Sequence, residues 1–284
     1  MELMIKYKNS QGTVEISGNS ANPIRLTDAD GLGIVGREYI AAYYSGYDGQ
    51  ETVSSRALPR TVTLKAEICG NNISDIAAKS LRILKEPGWL YIKDGEIYRR
   101  IYCNQVIIPD PTRVLKGRIA GLVVQFVCDN PYFEDGCEST IPLYMRTKNL
   151  RTPFTLPTAF GTTVMGARVN NQGDCTIEPW IYIICPKELQ NAETVIITNN
   201  TTGARIVLEY APKAGDEITV DIKNRKIASS ITGNLLNNLS DDTFLGDFIL
   251  EKGVNDLSVF VGDVQSEFTV ECKYSNIYCE AVIV

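Results

Sequence analysis

Polar and apolar residues alternate one by one along most of this chain. In RTVTLKAEIC (residues 60–69), Val62, Leu64, Ala66 and Ile68 alternate with Thr61, Thr63, Lys65 and Glu67. In EFTVECKY (residues 267–274), Phe268, Val270, Cys272 and Tyr274 alternate with Glu267, Thr269, Glu271 and Lys273. Successive side chains of an extended strand point to opposite faces, so each run predicts a strand with one face in a core and one in water. LVVQFVC sets Leu122, Val124, Phe126 and Cys128 on one side, and IYRRIYCNQVII and IYIIC are further β-rich runs. One segment departs from the two-residue period. In NNISDIAAKSLRILKEPG, Ile73, Ile76, Ala77, Leu81 and Leu84 follow helical spacing, with Ser74 or a neighbouring Asn as cap and Pro87-Gly88 as the stop. The pattern predicts a β–β–α–β–β first half with the helix laid across its sheet.

The second half reads as hairpins with turns every 8–12 residues, the spacing of a β-sandwich. TVIITNNTTGARIVLEY is strand, Asn-rich turn closed by Gly203, strand; EITVDIKNRKIAS turns at Lys223-Asn224. Between the halves, periodicity lapses where Pro131, Pro142, Pro153 and Pro157 accumulate. This divides the chain into a first domain over 1–135, a connector over 136–160 and a second domain over 161–284, with a hinge at Asn130, Pro131, Tyr132 and Phe133. A second irregular stretch, YIAAYYSGYDGQETVSSRALPR (residues 39–60), is too polar to build a core and long for a compact domain. Such excursions are usually functional or ordered by a partner.

Composition narrows the chemistry. With 284 residues, 44% of them hydrophobic and 22% charged, the chain has material for two cores. It contains no histidine, which excludes Ser-His-Asp and Cys-His hydrolases and His-based acid–base catalysis. None of the eight cysteines forms a CxxC pair, so buried thiols are expected rather than metal ligands or disulfides. The opening MELMIKYKNSQGTVEIS lacks a basic region followed by an apolar run, so cytoplasmic synthesis without a secretory signal is expected. The net charge of −6 lies wholly in residues 137–284, and no basic cluster interleaved with aromatics is visible, so tight gripping of nucleic acid is not expected.

Local motifs carry little. GLGIVG (residues 31–36) has the letters of a dinucleotide loop, but a β-rich run follows it where a helix is required. GTTVMGAR (residues 161–168) lacks the Lys-Ser/Thr of a phosphate loop. The acidic pairs Glu134-Asp135 and Asp241-Asp242 sit on turns, where neighbouring carboxylates rarely converge on one reacting atom. Trp89 and Trp180 lie among apolar strand residues and are expected to pack in the cores, although an exposed Trp would suit a sugar platform.

Read in order, several of these segments resemble a known family. They are DGQETVSSRALPRTVTL, the helix followed by PGWLYIKDGEIYRRIY, FVCDNPYFEDG, VNNQGDCTIEPWIYII, ITNNTTGARIVLEY, AGDEITVDIKNRKIA and LEKGVNDLSVFV. Together the series is similar to the distal tail proteins of siphophages, bacteriophages with long non-contractile tails. The resemblance implies a mainly β protein: a β-barrel-like, tail-tube-like N-terminal domain with one α-helix and an extended arm, then a galectin-like β-sandwich. It implies a homo-hexameric ring at the virion tail tip, surrounding a DNA channel without binding DNA specifically. The implied partners are the tail-tube protein and adsorption parts such as a tail-associated lysin, fibre or receptor-binding protein. No catalysis, cofactor or metal is implied. Under that reading the polar excursion is the subunit-contact arm, with Asp48, Gly49, Gln50, Glu51, Arg56 and Arg60 as candidate contacts and the two arginines as ion-pair donors at the seam. Gaps between the segments are too short for an inserted carbohydrate-binding domain. The alternative reading from the residues is a carbohydrate-binding module for bacterial cell-wall polysaccharide.

Overall fold

A computed structural model describes residues 3–46, 48–70, 72–109, 119–147, 162–185, 194–261 and 269–281. The chain divides into two compact units, one formed by Met1–Cys137 with Ile277–Val284 and the other by Glu138–Asn276. The backbone thus leaves the first unit once and returns to it. Residues 277–284, expected in the sandwich, group with the first unit instead.

The first unit begins with β1 (Met4–Asn9), β2 (Gly12–Ser17) and β3 (Ile24–Asp30). A separate hairpin follows, β4 (Arg37–Ala42) and β5 (Glu51–Ala57), and then β6 (Arg60–Cys69) and the helix α1 (Ile73–Leu84). β7 (Gly88–Asp94), β8 (Ile97–Cys103), β9 (Gln105–Ile107), β10 (Ile119–Cys128) and β11 (Phe133–Asp135) complete its first pass. The second unit holds β12 (Ser139–Thr147), β13 (Thr162–Val164), β14 (Gly166–Asn171), β15 (Trp180–Ile184), β16 (Val195–Asn199) and β17 (Arg205–Leu208). It ends with β18 (Glu217–Asp221), β19 (Lys226–Ser229), β20 (Gly233–Asn234), β21 (Gly253–Val261) and β22 (Thr269–Tyr274), after which β23 (Ile277–Tyr278) belongs to the first unit.

One ten-stranded sheet, in the order β23-β11-β8-β7-β1-β2-β3-β6-β10-β9, builds the first unit. Its two ends nearly meet. β8 bonds to β7 and β11, the chain bends at Asn104, and β9 continues on to β10. The Asn104 amide donates to the Val127 carbonyl at 2.9 Å, and the buried thiols of Cys103 and Cys128 lie 3.7 Å apart at this junction. The sheet is therefore barrel-like, and it encloses the inward positions predicted by alternation: Val62, Leu64, Ala66 and Ile68 on β6, and Leu122, Val124, Phe126 and Cys128 on β10. The helix buries Ile73 and Leu84 and packs Ile76, Ala77 and Leu81 on the same core. Asn72 holds its N-cap position without a side-chain bond, so the expected capping contribution is missing. The other end is tied down by β1, where Asn9 Nδ2 donates to Ile83 O at 2.7 Å and the buried Tyr7 hydroxyl donates to Glu86 O.

Two antiparallel sheets make the second unit, β13-β12-β22-β15-β18-β19-β20 and β14-β21-β16-β17. Alternation holds here too, with Ile181, Ile183, Val220, Val270 and Cys272 buried from one sheet and Val169, Leu257, Val259, Ile197 and Ile206 from the other. Both predicted hairpins form, β16–β17 and β18–β19. Part of the expected connector is strand: β12 pairs along β22, with a register shift at Pro142, which cannot donate to the ladder. Residues 148–161, with Pro153 and Pro157, and Phe268 lie outside the described residues. Among the described residues no helix is long and apolar enough to cross a membrane.

Candidate functional site

Among the described residues the hairpin β4–β5 pairs only with itself. Its ladder runs from Arg37↔Ala57 to Ala42↔Glu51, with a bulge where Ile40 and Ala41 meet Ser54 and Thr52. Among the described residues neither face contributes a buried side chain to a core. Tyr39 is 62% exposed and its neighbour Ile40, on the opposite face, 54%; Tyr43 is 76% exposed, and Tyr44 and Val53 are exposed as well. A two-stranded hairpin is marginal alone in water, and large apolar side chains exposed in one cluster mark an interaction surface. At the tip, Gly49 has φ of 95°, a value that favours glycine, and Tyr43 Oη donates to Gln50 at 2.8 Å. Asp48, Gln50 and Glu51 are exposed there, and Tyr47 lies outside the described residues.

The two arginines behave differently from each other. Arg56 forms an ion pair with Glu38 across the hairpin at 2.6 Å, with both side chains exposed, so it is spent within its own element. Arg60 is only 7% exposed. Its Nε donates to the Pro131 carbonyl at 2.7 Å, its Nη1 to the carbonyls of Gly31 and Gly33 at 2.6 Å each, and its Nη2 to that of Cys279 at 2.6 Å. The guanidinium also lies 4.6 Å over the Phe133 ring. Arg60 is therefore not a seam donor. It fastens the root of the hairpin to the β10–β11 turn and to the returning C-terminal segment. Gly31 is required at this root: its φ is +83°, and a Cβ there would lie 2.2 Å from the Thr61 carbonyl. Leu32 and Val35 are buried beside it, and the Ala281 amide donates to Leu32 O at 2.8 Å. This accounts for GLGIVG without a nucleotide.

The residues expected to form the hinge take part in the same contacts. Asn130 closes a turn by accepting the Tyr132 amide at 3.3 Å, Pro131 serves Arg60, and Phe133 is fully buried on β11. Glu134 faces Arg100 at 3.3 Å, while Asp135 accepts the Tyr278 hydroxyl at 3.0 Å, so the two carboxylates do not converge. Among the described residues no group of three acidic, Cys or His side chains is placed to hold a metal. Cys103, Cys128, Cys185 and Cys272 are buried as expected, whereas Cys137 is exposed. Burial pushes the Cys185 and Cys272 thiols up to about 12, which leaves them unreactive.

Strand pairing also assembles a surface that linear reading missed. On the outer face of β1, β7 and β8, cross-strand registers set Lys8 beside Trp89 and Trp89 beside Tyr102, then Lys6 beside Tyr91 and Tyr91 beside Arg100, then Lys93 beside Tyr98. Tyr98 and Tyr102 are each 41% exposed. Trp89 is thus no core residue; it packs edge-on against Tyr102 with centroids 5.2 Å apart and carries Arg100 at 4.4 Å. Basic and aromatic residues are interleaved here after all, because β1 and β7 are distant in sequence. Trp180 likewise faces outward on β15, 36% exposed, beside Tyr182 with ring centroids 6.3 Å apart.

No curated protein sequence matches the chain. Residues 172–278 match the family model for the siphovirus-type tail component, C-terminal domain. The chain resembles the siphophage distal tail proteins. Its fold is similar to the crystal structure of the SPP1 Dit (gp 19.1) protein, described as a paradigm of the hub adsorption apparatus in Gram-positive infecting phages. That match has a TM-score of 0.65 at 12% identity and covers 97% of this chain and 98% of that one. A second similar structure is the phage P2 baseplate in its activated conformation with Ca, with TM-score 0.52, 13% identity and the same shares covered, 97% and 98%. The chain is mainly β with a fold similar to that of the SPP1 Dit protein, and its self-paired hairpin carries exposed large apolar side chains.

Proposed function

We propose that this chain is the ring-forming distal tail protein of a siphophage tail tip. Six copies build an annulus around the DNA channel, joining the tail tube to the adsorption proteins, and the work is mechanical rather than catalytic. The first unit makes the ring and the second carries docking sites for a lysin, fibre or receptor-binding protein. DNA passes without specific binding. The observation that carries the reading is the hairpin with large apolar residues exposed on both faces, which a solitary molecule gains nothing by displaying. Removing Gln50–Ser55 is expected to leave both units folded by circular dichroism while light scattering and negative-stain images show no closed rings. A wild-type chain that stays monomeric at high concentration, also when mixed with tail-tube protein, would overturn the proposal.

A second reading rests on Trp180. It lies beside Tyr182 and across the ladder from Lys273, so a ring able to stack on a sugar has a second ring and a hydrogen-bond donor near it. Retention of the full-length chain on bacterial cell-wall polysaccharide, lost on Trp180→Ala, would support glycan binding; no retention would dismiss it.

A further inference from the structure

A ring closed by one repeated contact is heterologous: the hairpin of each copy must meet a different surface on the next. That surface should offer rings or aliphatic groups for the hairpin face that bears Tyr39, and charges opposite to those the hairpin leaves unpaired. On the hairpin, Arg56 and Glu38 neutralise each other, Arg37 sits at the base, and the exposed Asp48 and Glu51 at the tip have no ion pair among the described residues.

Two outer faces of the ten-stranded sheet can be compared. Around β3, β6 and β10 the outward positions include Thr61, Thr63, Glu67, Val123, Gln125 and Val127, without a single aromatic ring, and Lys65 is neutralised by Asp28 at 2.7 Å. Around β1, β7 and β8 the face carries Trp89, Tyr91, Tyr98 and Tyr102. Its central cations are paired internally, Lys6 with Glu15 at 3.1 Å and Arg100 with Glu134 at 3.3 Å. The flanking Lys8 and Lys93 are exposed and have no ion pair among the described residues. Glu96, exposed in the β7–β8 turn, offsets one of these lysines, so unpaired charge is negative at the hairpin tip and on balance positive on this face, with aromatic groups on both.

We infer that the β4–β5 hairpin of one copy docks on the β1–β7–β8 face of the next, the hairpin face that bears Tyr39 against the Trp89, Tyr98 and Tyr102 rings and its acidic tip toward Lys8 and Lys93. This rests on the ring reading above. Aromatic contact supplies the binding, and the charges set orientation and reject a reversed approach.

The test uses the full-length chain in light scattering across a concentration series. Lys8→Glu with Lys93→Glu, both on exposed side chains, is expected to raise the concentration needed for half-assembly at least about tenfold, equivalent to about 1.4 kcal/mol. Adding Asp48→Lys and Glu51→Lys to that variant is expected to restore assembly. Assembly unchanged by the lysine reversals but lost on hairpin deletion overturns this docking surface and leaves the ring reading standing. Assembly unaffected by either change overturns both. Loss without rescue overturns the pairing of tip and face. Intact rings with weakened DNA retention would assign the face to nucleic acid and overturn the inference.

Discussion

Arg60 has five N–H donors and gives four of its bonds to carbonyl oxygens of three separate segments, so its loss would strand several buried acceptors at once. Arg60→Met is expected to destabilise the first unit by about 3 kcal/mol or more, read as a lowered urea midpoint with an unchanged slope. Arg60→Lys should recover little, because an ammonium cannot span the same fork. The signal for this role was in the sequence. Arg60 stands in phase with Val62, Leu64 and Ile68, the inward side of its strand, yet proximity to the polar excursion suggested a seam. The same parity rule places Trp89 and Trp180 outward, since Leu90, Ile92, Ile181 and Ile183 occupy the inward positions. Phase was the better guide than hydrophobicity. No local pattern could show that Pro131, Gly33 and Cys279 supply the acceptors, because those contacts join residues far apart along the chain.

Among elements, the hairpin was legible as an excursion and the helix as a helical run, because each breaks the prevailing two-residue period. The hairpin's first strand was legible as the β-rich run after Gly36, but its second was not: Thr-Val-Ser-Ser lacks the apolar side of a half-buried strand, and β5 is exposed almost throughout. Exposure also governs the expected consequence of changing it. Tyr39→Ser with Ile40→Ser should alter the chain's folding stability by less than about 0.5 kcal/mol, as surface substitutions usually do. Sedimentation velocity should nevertheless show assembly lost. A large fall in stability would mean instead that the hairpin supports its own unit. The β1–β7–β8 face escaped linear reading for a topological reason. Its lysines come from residues 6, 8 and 93 and its rings from residues 89 to 102, and only the β1–β7 pairing brings them together.

For the molecule as a whole, two units with separate cores should respond separately to acid. In the second unit, burial pushes the Asp216 carboxyl up, but hydrogen bonds from Ser229, Ser230 and Tyr210 outweigh it and hold the group below its ordinary value of 3.8. Ser229 Oγ donates at 2.7 Å and Ser230 Oγ at 3.0 Å to the same carboxylate oxygen. A depressed folded value means stability that is fully present above the unfolded value and lost as pH falls through the folded one. Thermal scans below about pH 4 should therefore show the second unit weakening, and Asp216→Asn should be destabilised at neutral pH with a flatter acid response. A pH response identical in the wild type and that variant would remove Asp216 as its source.

The return of the chain to its first unit has a consequence in time. Arg60 waits for the carbonyl of Cys279, and the loop at Leu32 for the amide of Ala281. During synthesis the helix and most of the ten strands emerge early, while these last fasteners arrive only after the entire second unit has been translated. Until then the root of the hairpin lacks two of its ties. The hairpin of a nascent chain is thus anchored less firmly than that of the finished chain, Arg60 holding only the carbonyls of Pro131, Gly31 and Gly33 until translation ends.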